Sequence, residues 1–258
     1  MKQKLLIIDA LNLIRRIFAV DSVQNPDPNL AIKNSCSRVA RASEKLVKLT
    51  QATHAIAVFD GETSWRHHFY PQYKSSREPM PAILKASLDE FRQSFNQAGI
   101  ISFTPDNDEA DDVIATLANK AALQHINSII VSTDKGFIPH LAEHIHIYDY
   151  FAGHFLHPDI SQSKFGVQQQ HLTELWGLAG DKTNDIPGVK GIGKKTAQQI
   201  INQFGGVAQA LTDKTLETRY LSKLEAHLQE FVISKQLATL RCDIHLGFNL
   251  KSIRIQRH

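Results

Sequence analysis

Three short apolar runs in this chain each stop on an aspartate: Leu5-Leu6-Ile7-Ile8-Asp9, Ala55-Ile56-Ala57-Val58-Phe59-Asp60 and Ile129-Ile130-Val131-Ser132-Thr133-Asp134. Runs this short and rich in Ile and Val read as buried strands of a parallel sheet. Between the second and third runs, Glu109-Ala110-Asp111-Asp112 opens a helical pattern. In open α/β sheets the ligand crevice lies beyond the carboxyl ends of the strands, so these acids should converge on one edge. Crowded carboxylates repel and raise one another's pKa unless cations neutralise them. That many oxygen ligands suits a hard divalent cation, Mg²⁺ or Mn²⁺.

The 258 residues suffice for one large or two modest domains. A hydrophobic content of 42% and a charged content of 21% are those of a soluble globular protein. No apolar stretch reaches membrane-span length, and the N-terminus runs straight into strand-like sequence, so a cytoplasmic location without membrane contact is expected. Cys36 and Cys242 lie far apart without CxxC context and read as buried free thiols. The net charge of +3 is too small to identify a partner by itself.

The first 60 residues read as strand, long helix, strand, with 21–29 as a loop and 31–50 as helix. Helices follow at 83–98 and 109–124 around a short strand at 100–103, then strands at 128–134 and 145–149. From about 160 the texture changes to helices joined by Gly-rich turns, including 195–203, 207–212 and 217–239. The expected organisation is an α/β core over 1–160 and a helical module over 161–258.

Within that module, Pro187-Gly188-Val189-Lys190-Gly191-Ile192-Gly193-Lys194-Lys195-Thr196-Ala197 places three glycines just before a helix. Glycine allows close backbone approach, and helix N-terminal amides favour phosphate. The spacing is not that of a P-loop and no buried strand precedes it. A helix-hairpin-helix at about 175–203, gripping a nucleic-acid backbone, fits better than a plain helix turn. A second basic element, Trp65 to Arg77, mixes Arg66, Lys74 and Arg77 with Trp65, Phe69, Tyr70 and Tyr73 and contains no acid. Cations beside rings suit single-stranded nucleic acid. Following Asp60 so closely, this bridge should overhang the acids.

These elements, in this order, resemble the 5′-nuclease superfamily, comprising the 5′→3′ exonuclease domain of bacterial DNA polymerase I and stand-alone flap endonucleases. The matching residues are Asp9 with Arg16, Phe59-Asp60-Gly61, Tyr73-Lys74 with Arg77 and Pro79-Met80-Pro81, Glu109 to Asp112, Ser132 to Lys135, and Gly180 to Gly193. They span roughly residues 4–240, and the polymerase-free chain most resembles the stand-alone enzymes. The resemblance implies a mostly parallel α/β sheet with a helical arch at about 62–82 and the helix-hairpin-helix behind it. It assigns Asp9, Asp60, Glu109 and Asp111 to a first Mg²⁺, which Mn²⁺ can replace, and Asp112, Asp134 and Asp181 to a second. Lys74 and Arg77 match arch cations that stabilise the scissile phosphate, and Tyr73 an aromatic at the arch entrance. Carbonyls of Leu178, Ala179, Pro187, Val189 and Ile192 match a K⁺ site. Arg16 and the stretch Gly191, Ile192, Gly193, Lys194, Lys195 and Thr196 match DNA contacts.

Two positions depart from the family pattern. Gly136 stands where an aspartate follows Asp134-Lys135, and Thr183-Asn184-Asp185 stands where Ser-Asp-Asn is usual. Residues adjacent on a helix point about 100° apart, so Asp185 should not replace the missing carboxylate without rearrangement. The expectation is a competent first metal site, a depleted second one, and a monomeric nuclease acting at 5′ flaps or single-strand/duplex junctions of DNA. A flap- or gap-binding protein with a vestigial site is the alternative. A PIN-type RNase is a more distant one, disfavoured by the hairpin.

Overall fold

The computed structural model describes residues 3–256. In chain order its elements are β1 (Lys4–Asp9), α1 (Ala10–Gln24), α2 (Pro28–Thr50), β2 (His54–Val58), α3 (Trp65–Phe69), α4 (Ala82–Ala86), α5 (Leu88–Gln97), β3 (Ile101–Phe103), α6 (Ala110–Ala122), β4 (Asn127–Val131), β5 (Ile145–Asp149) and β6 (His154–Phe155). Helices follow: α7 (Ile160–Phe165), α8 (Leu172–Ala179), α9 (Lys194–Phe204), α10 (Val207–Thr212), α11 (Thr218–Ala226) and α12 (Leu228–Ala238). Two compact units result. One takes the chain up to Ser64, Pro79–Leu156 and the stretch from Arg241 on; the other takes Trp65–Glu78 and His157–Leu240. The bridge therefore folds with the helices and the last stretch with the sheet, a division different from the consecutive one expected at residue 160.

The first unit carries a sheet in the order β3-β2-β1-β4-β5-β6, parallel except for β6. Leu5 to Ile8 and Ala55 to Val58 are each at most 1% exposed, which is why those runs lack polar alternation. Asp9 ends β1 and caps α1, accepting the Asn12 amide at 3.1 Å. Residues 21–24, expected as loop, continue α1. The buried Asp21 carboxylate takes the Ser35 hydroxyl and the Arg38 guanidinium of α2, both at 2.8 Å, and so ties the two helices together. Asp27 then caps α2 with Pro28 in its first turn. The returning C-terminal stretch is knitted in by the Ile255 amide on the Thr53 carbonyl, 3.1 Å, and the Arg241 amide on Asp112 Oδ1, 2.8 Å.

In the second unit, the expected helix 217–239 is broken into α11 and α12 at His227. The bridge is one five-residue helix, α3, followed by turns, and it is anchored rather than loose. Arg66 is 1% exposed, donating to the carbonyls of Leu237 and Thr239, each at 3.0 Å. Among the described residues, no helix is long and apolar enough to cross a membrane.

Candidate active site

Because β2, β1 and β4 are neighbours in parallel register, their carboxyl ends bring Asp60, Asp9 and Asp134 to one edge of the first unit. Asp9 is buried; its Oδ2 accepts the Ser132 hydroxyl at 2.9 Å, and the same hydroxyl accepts the Asp134 amide at 3.0 Å. Ser132, part of the matching motif but given no role from sequence, thus links two of the acids. Asn12 braces the same edge through Thr133, with contacts of 3.1–3.2 Å. Asp60 Oδ1 takes the Ala110 amide at 2.9 Å, which fixes the start of α6 beside β2 and sets Glu109 at its cap position and Asp111 in its first turn. Gly61 is needed here, since a Cβ would press on the carbonyls of Pro105 and Asp108 at 2.6 and 2.8 Å.

Burial, then the charges of Asp60 and Asp134, push the Asp9 carboxyl up to about 7, against the Ser132 and Asn12 hydrogen bonds. Among the described residues, no three His, Cys, Asp or Glu side chains close into a ready-made cage. The acids form an array at a sheet edge rather than a closed pocket. Such an array fits Mg²⁺, which keeps several waters and takes few carboxylates directly.

Asp112 follows Asp111 in the first turn of α6. Its side chain is fully buried, and Oδ1 accepts the Arg241 amide. Within the EADD motif, Asp112 thus ties the start of α6 to the C-terminal stretch. Asp134 Oδ1 receives the Gly136 amide at 2.6 Å, so the position lacking a carboxylate supplies a backbone donor instead.

In the second unit, Asp181 accepts the Thr183 amide at 3.2 Å and the Asn184 carboxamide at 2.8 Å. Asn184 Oδ1 in turn accepts Arg77 Nη2 at 2.5 Å, while the Thr183 carbonyl accepts Arg77 Nε at 3.2 Å. Lys74 adopts a left-handed backbone, φ 55°, with its amide on the Asn184 carbonyl at 3.0 Å. Asp185 receives the amide and hydroxyl of Ser76, each at 2.8 Å, so its carboxylate is committed to holding the bridge. Tyr73 is buried rather than displayed. It is 5% exposed and packs with Ile186 and Leu237, because an apolar ring adjoining the α12 core gains more by burial than by display.

The glycine hairpin is built on close backbone contact. Gly180 and Gly188 have φ of 73° and 68°, and a Cβ on Gly188 would overlap the Gly180 amide. The Leu178 carbonyl accepts the Val189 amide at 2.8 Å and the Val189 carbonyl that of Ile192 at 3.0 Å. Ala179 and Pro187 flank the same crossing. Gly193 precedes α9, and among the described residues no side chain caps that helix. Ile192 is buried, whereas Gly191, Gly193, Lys194 and Lys195 are exposed and Thr196 half-buried. Lys223, which sequence reasoning missed, reaches the Gly191 carbonyl at 3.0 Å. Its signal is invisible in sequence because it comes from α11, some thirty residues downstream. Arg16 lies exposed on α1, its guanidinium 4.7 Å from the Phe151 ring centroid.

An acid-edged parallel sheet of this order, with a hairpin-bearing helical unit, defines the class of 5′ nucleases. Similarity places the chain within it. Residues 4–177 match the 5′-3′ exonuclease N-terminal resolvase-like domain and residues 167–258 the 5′-3′ exonuclease C-terminal SAM fold. A Flap endonuclease Xni of Pseudoalteromonas translucida (strain TAC 125) is 57% identical, covering 99% of this chain and 100% of that protein. One from Vibrio cholerae is 41% identical over 98% and 97% of the two chains. Among solved structures, T5 5′-exonuclease with divalent metal ions (zinc) bound superposes with a TM-score of 0.73 at 23% identity, covering 92% of this chain and 89% of that one. The catalytic core of Rad2 in complex with a DNA substrate gives 0.56 at 17% identity, covering 95% and 82%. The chain belongs to the 5′-3′ exonuclease family and is a nuclease.

Proposed function

We propose that this chain is a Mg²⁺-dependent, structure-specific flap endonuclease that hydrolyses phosphodiester bonds at 5′ flaps or ends of branched DNA. The observation that carries the reading is the alignment of Asp60, Asp9 and Asp134 on adjacent parallel strand ends, beside the Glu109 and Asp111 positions of α6. Asp9, Asp60, Glu109 and Asp111 would hold the first ion. A bound Mg²⁺ supplies charge to the phosphate oxygens and lowers the pKa of its water. Lys74 and Arg77 are the cations for the scissile phosphate, and their backbone and side-chain contacts with Thr183 and Asn184 fix where they start from. The second site, Asp112, Asp134 and Asp181, is depleted: Gly136 and Asn184 donate hydrogen bonds where carboxylates would supply charge. In the hairpin, amides 191–196 would take the DNA backbone without base readout. Carbonyls of Leu178, Ala179, Pro187, Val189 and Ile192 would hold K⁺. The protein would work as a monomer in the cytoplasm, and Mn²⁺ would replace Mg²⁺.

A flap substrate incubated with Mg²⁺ should be cut at the junction, and Asp111→Ala should abolish cutting while leaving flap binding intact. The depleted second site favours one other reading, a flap-binding protein that does not hydrolyse. Binding without cutting by the unaltered chain, in both Mg²⁺ and Mn²⁺, would establish that reading instead. For K⁺, DNA affinity should fall when K⁺ is exchanged for a larger organic cation at equal ionic strength; constant affinity would remove K⁺ from the account.

A further inference from the structure

A second charged surface lies on the first unit. It begins on the turn between β5 and β6. Asp149 Oδ1 accepts the amides of Phe151 and Ala152, each at 2.9 Å, and the Asp149 carbonyl accepts that of Gly153 at 2.8 Å. This self-capped turn holds Phe151 outward at 40% exposure, unusual for a ring that size. Arg16 of α1 sits 4.7 Å from its centroid, Tyr150 meets it edge-on at 5.3 Å, and Lys45 of α2 lies 5.9 Å from the Tyr150 centroid. Cation, ring, ring and cation thus run in one continuous line across three elements.

Helix α2 extends that line. Arg41, Lys45 and Lys48 are spaced i, i+4, i+7, so they share one face over about 10 Å of helix. All three are exposed, and together with Glu44 and Leu49 they line a shallow groove. Among the described residues, Arg41, Lys45, Lys48 and Arg16 enter no ion pair. Arg41 gives one proton to the Ser37 carbonyl at 3.3 Å. The half-buried Tyr150 packs against the core and backs the exposed Phe151, and the three cations outnumber the one acid, Glu44, in the groove beside them. Alternating phosphate-pairing and stacking groups are how proteins hold single strands without base readout.

We infer that the Phe151–Tyr150 rings and the Arg41, Lys45 and Lys48 face of α2 form a binding path for single-stranded DNA, separate from the hairpin's grip. The α1 end of the path lies seven residues from Asp9, about 10 Å along the helix, so a strand seated there would lead toward the acidic edge. A single strand is favoured over duplex because ring stacking requires unstacked bases. The choice of DNA over RNA rests on the nuclease reading above; the surface itself does not.

The test is fluorescence anisotropy of the full chain with labelled oligo(dT) in EDTA over a KCl series, so that no cleavage is involved. The triple variant Arg41→Ala/Lys45→Ala/Lys48→Ala lies on an exposed helix face and should melt like the parent. It should bind oligo(dT) about tenfold more weakly, with a log–log salt slope shallower by about 2, at roughly 0.7 per lost phosphate contact. Phe151→Leu keeps the apolar volume and should lose about five- to tenfold in affinity with the slope unchanged. Blunt-duplex affinity should stay constant in both. Unchanged oligo(dT) affinity and slope in the triple variant, or an equal loss for oligo(dT) and blunt duplex, would overturn the inference. Neither result depends on flap cleavage, so failure here and failure of the nuclease reading are told apart.

Discussion

At the scale of single residues, one side chain can be asked to do incompatible things. Asp9 caps a helix, closes a strand and meets two other acids, and its carboxyl is pushed up to about 7 by burial and by Asp60 and Asp134. A raised carboxyl pKa means that the folded chain holds the proton longer than the unfolded chain does. The stability lost by ionising Asp9 is therefore fully lost above pH 7 and recovered as pH falls from there toward the ordinary value near 4. In EDTA, Asp9→Asn should melt above the parent at pH 8, and that advantage should shrink as pH is lowered through 7. Thermal melts across pH check this; an advantage that grows on acidification would contradict it. The positions of Asp9 and Asp60 were legible from sequence because strand ends declare themselves in apolar runs. Tyr73 and Arg66 were not. Nothing in the stretch Trp65 to Arg77 distinguishes an arginine facing solvent from one facing the carbonyls of Leu237 and Thr239, since those partners come from more than 160 residues away.

At the scale of elements, joints matter more than lengths. Helices α1 and α2 are held by the Asp21 carboxylate on Ser35 and Arg38, with Ser35 fully buried. Asp21→Ala would strand the Ser35 hydroxyl and should cost about 1–3 kcal/mol, seen as a melting point lower by about 5 °C. The expected loop at 21–29 shrank to 25–27 for the same reason: an aspartate that looks like turn chemistry was a cross-helix partner. In the hairpin, the glycines divide by geometry. Gly188 has positive φ and no space for a Cβ, whereas a Cβ on Gly193 would meet nothing within 4 Å. Gly188→Ala should unfold the hairpin, lowering the melting point and the affinity for duplex DNA together. Gly193→Ala should melt normally and affect DNA affinity alone. Parallel circular-dichroism melts and duplex titrations separate the two.

At the scale of the whole molecule, the sequence texture suggested two consecutive domains, while the contacts make the helical unit an insertion within the sheet unit. Texture changes where strands stop, but it carries no record of a segment returning later. Asp112, Thr116 and Thr53 all wait for partners beyond residue 240. A chain stopped after Leu240 keeps the acids, bridge and hairpin, yet should lose the cooperative melt of the sheet unit and become prone to aggregation. Differential scanning calorimetry of that chain checks the expectation, and an undiminished transition would refute it.

The same closure orders events during synthesis. A ribosome releases the strand bearing Asp9 before the residues that seal the unit around it, with both segments of the helical unit translated in between. The acidic edge would therefore mature only after the part proposed to hold DNA has had time to fold. On the proposed function, a nascent chain would pass through a stage able to grip DNA before it is able to cut it.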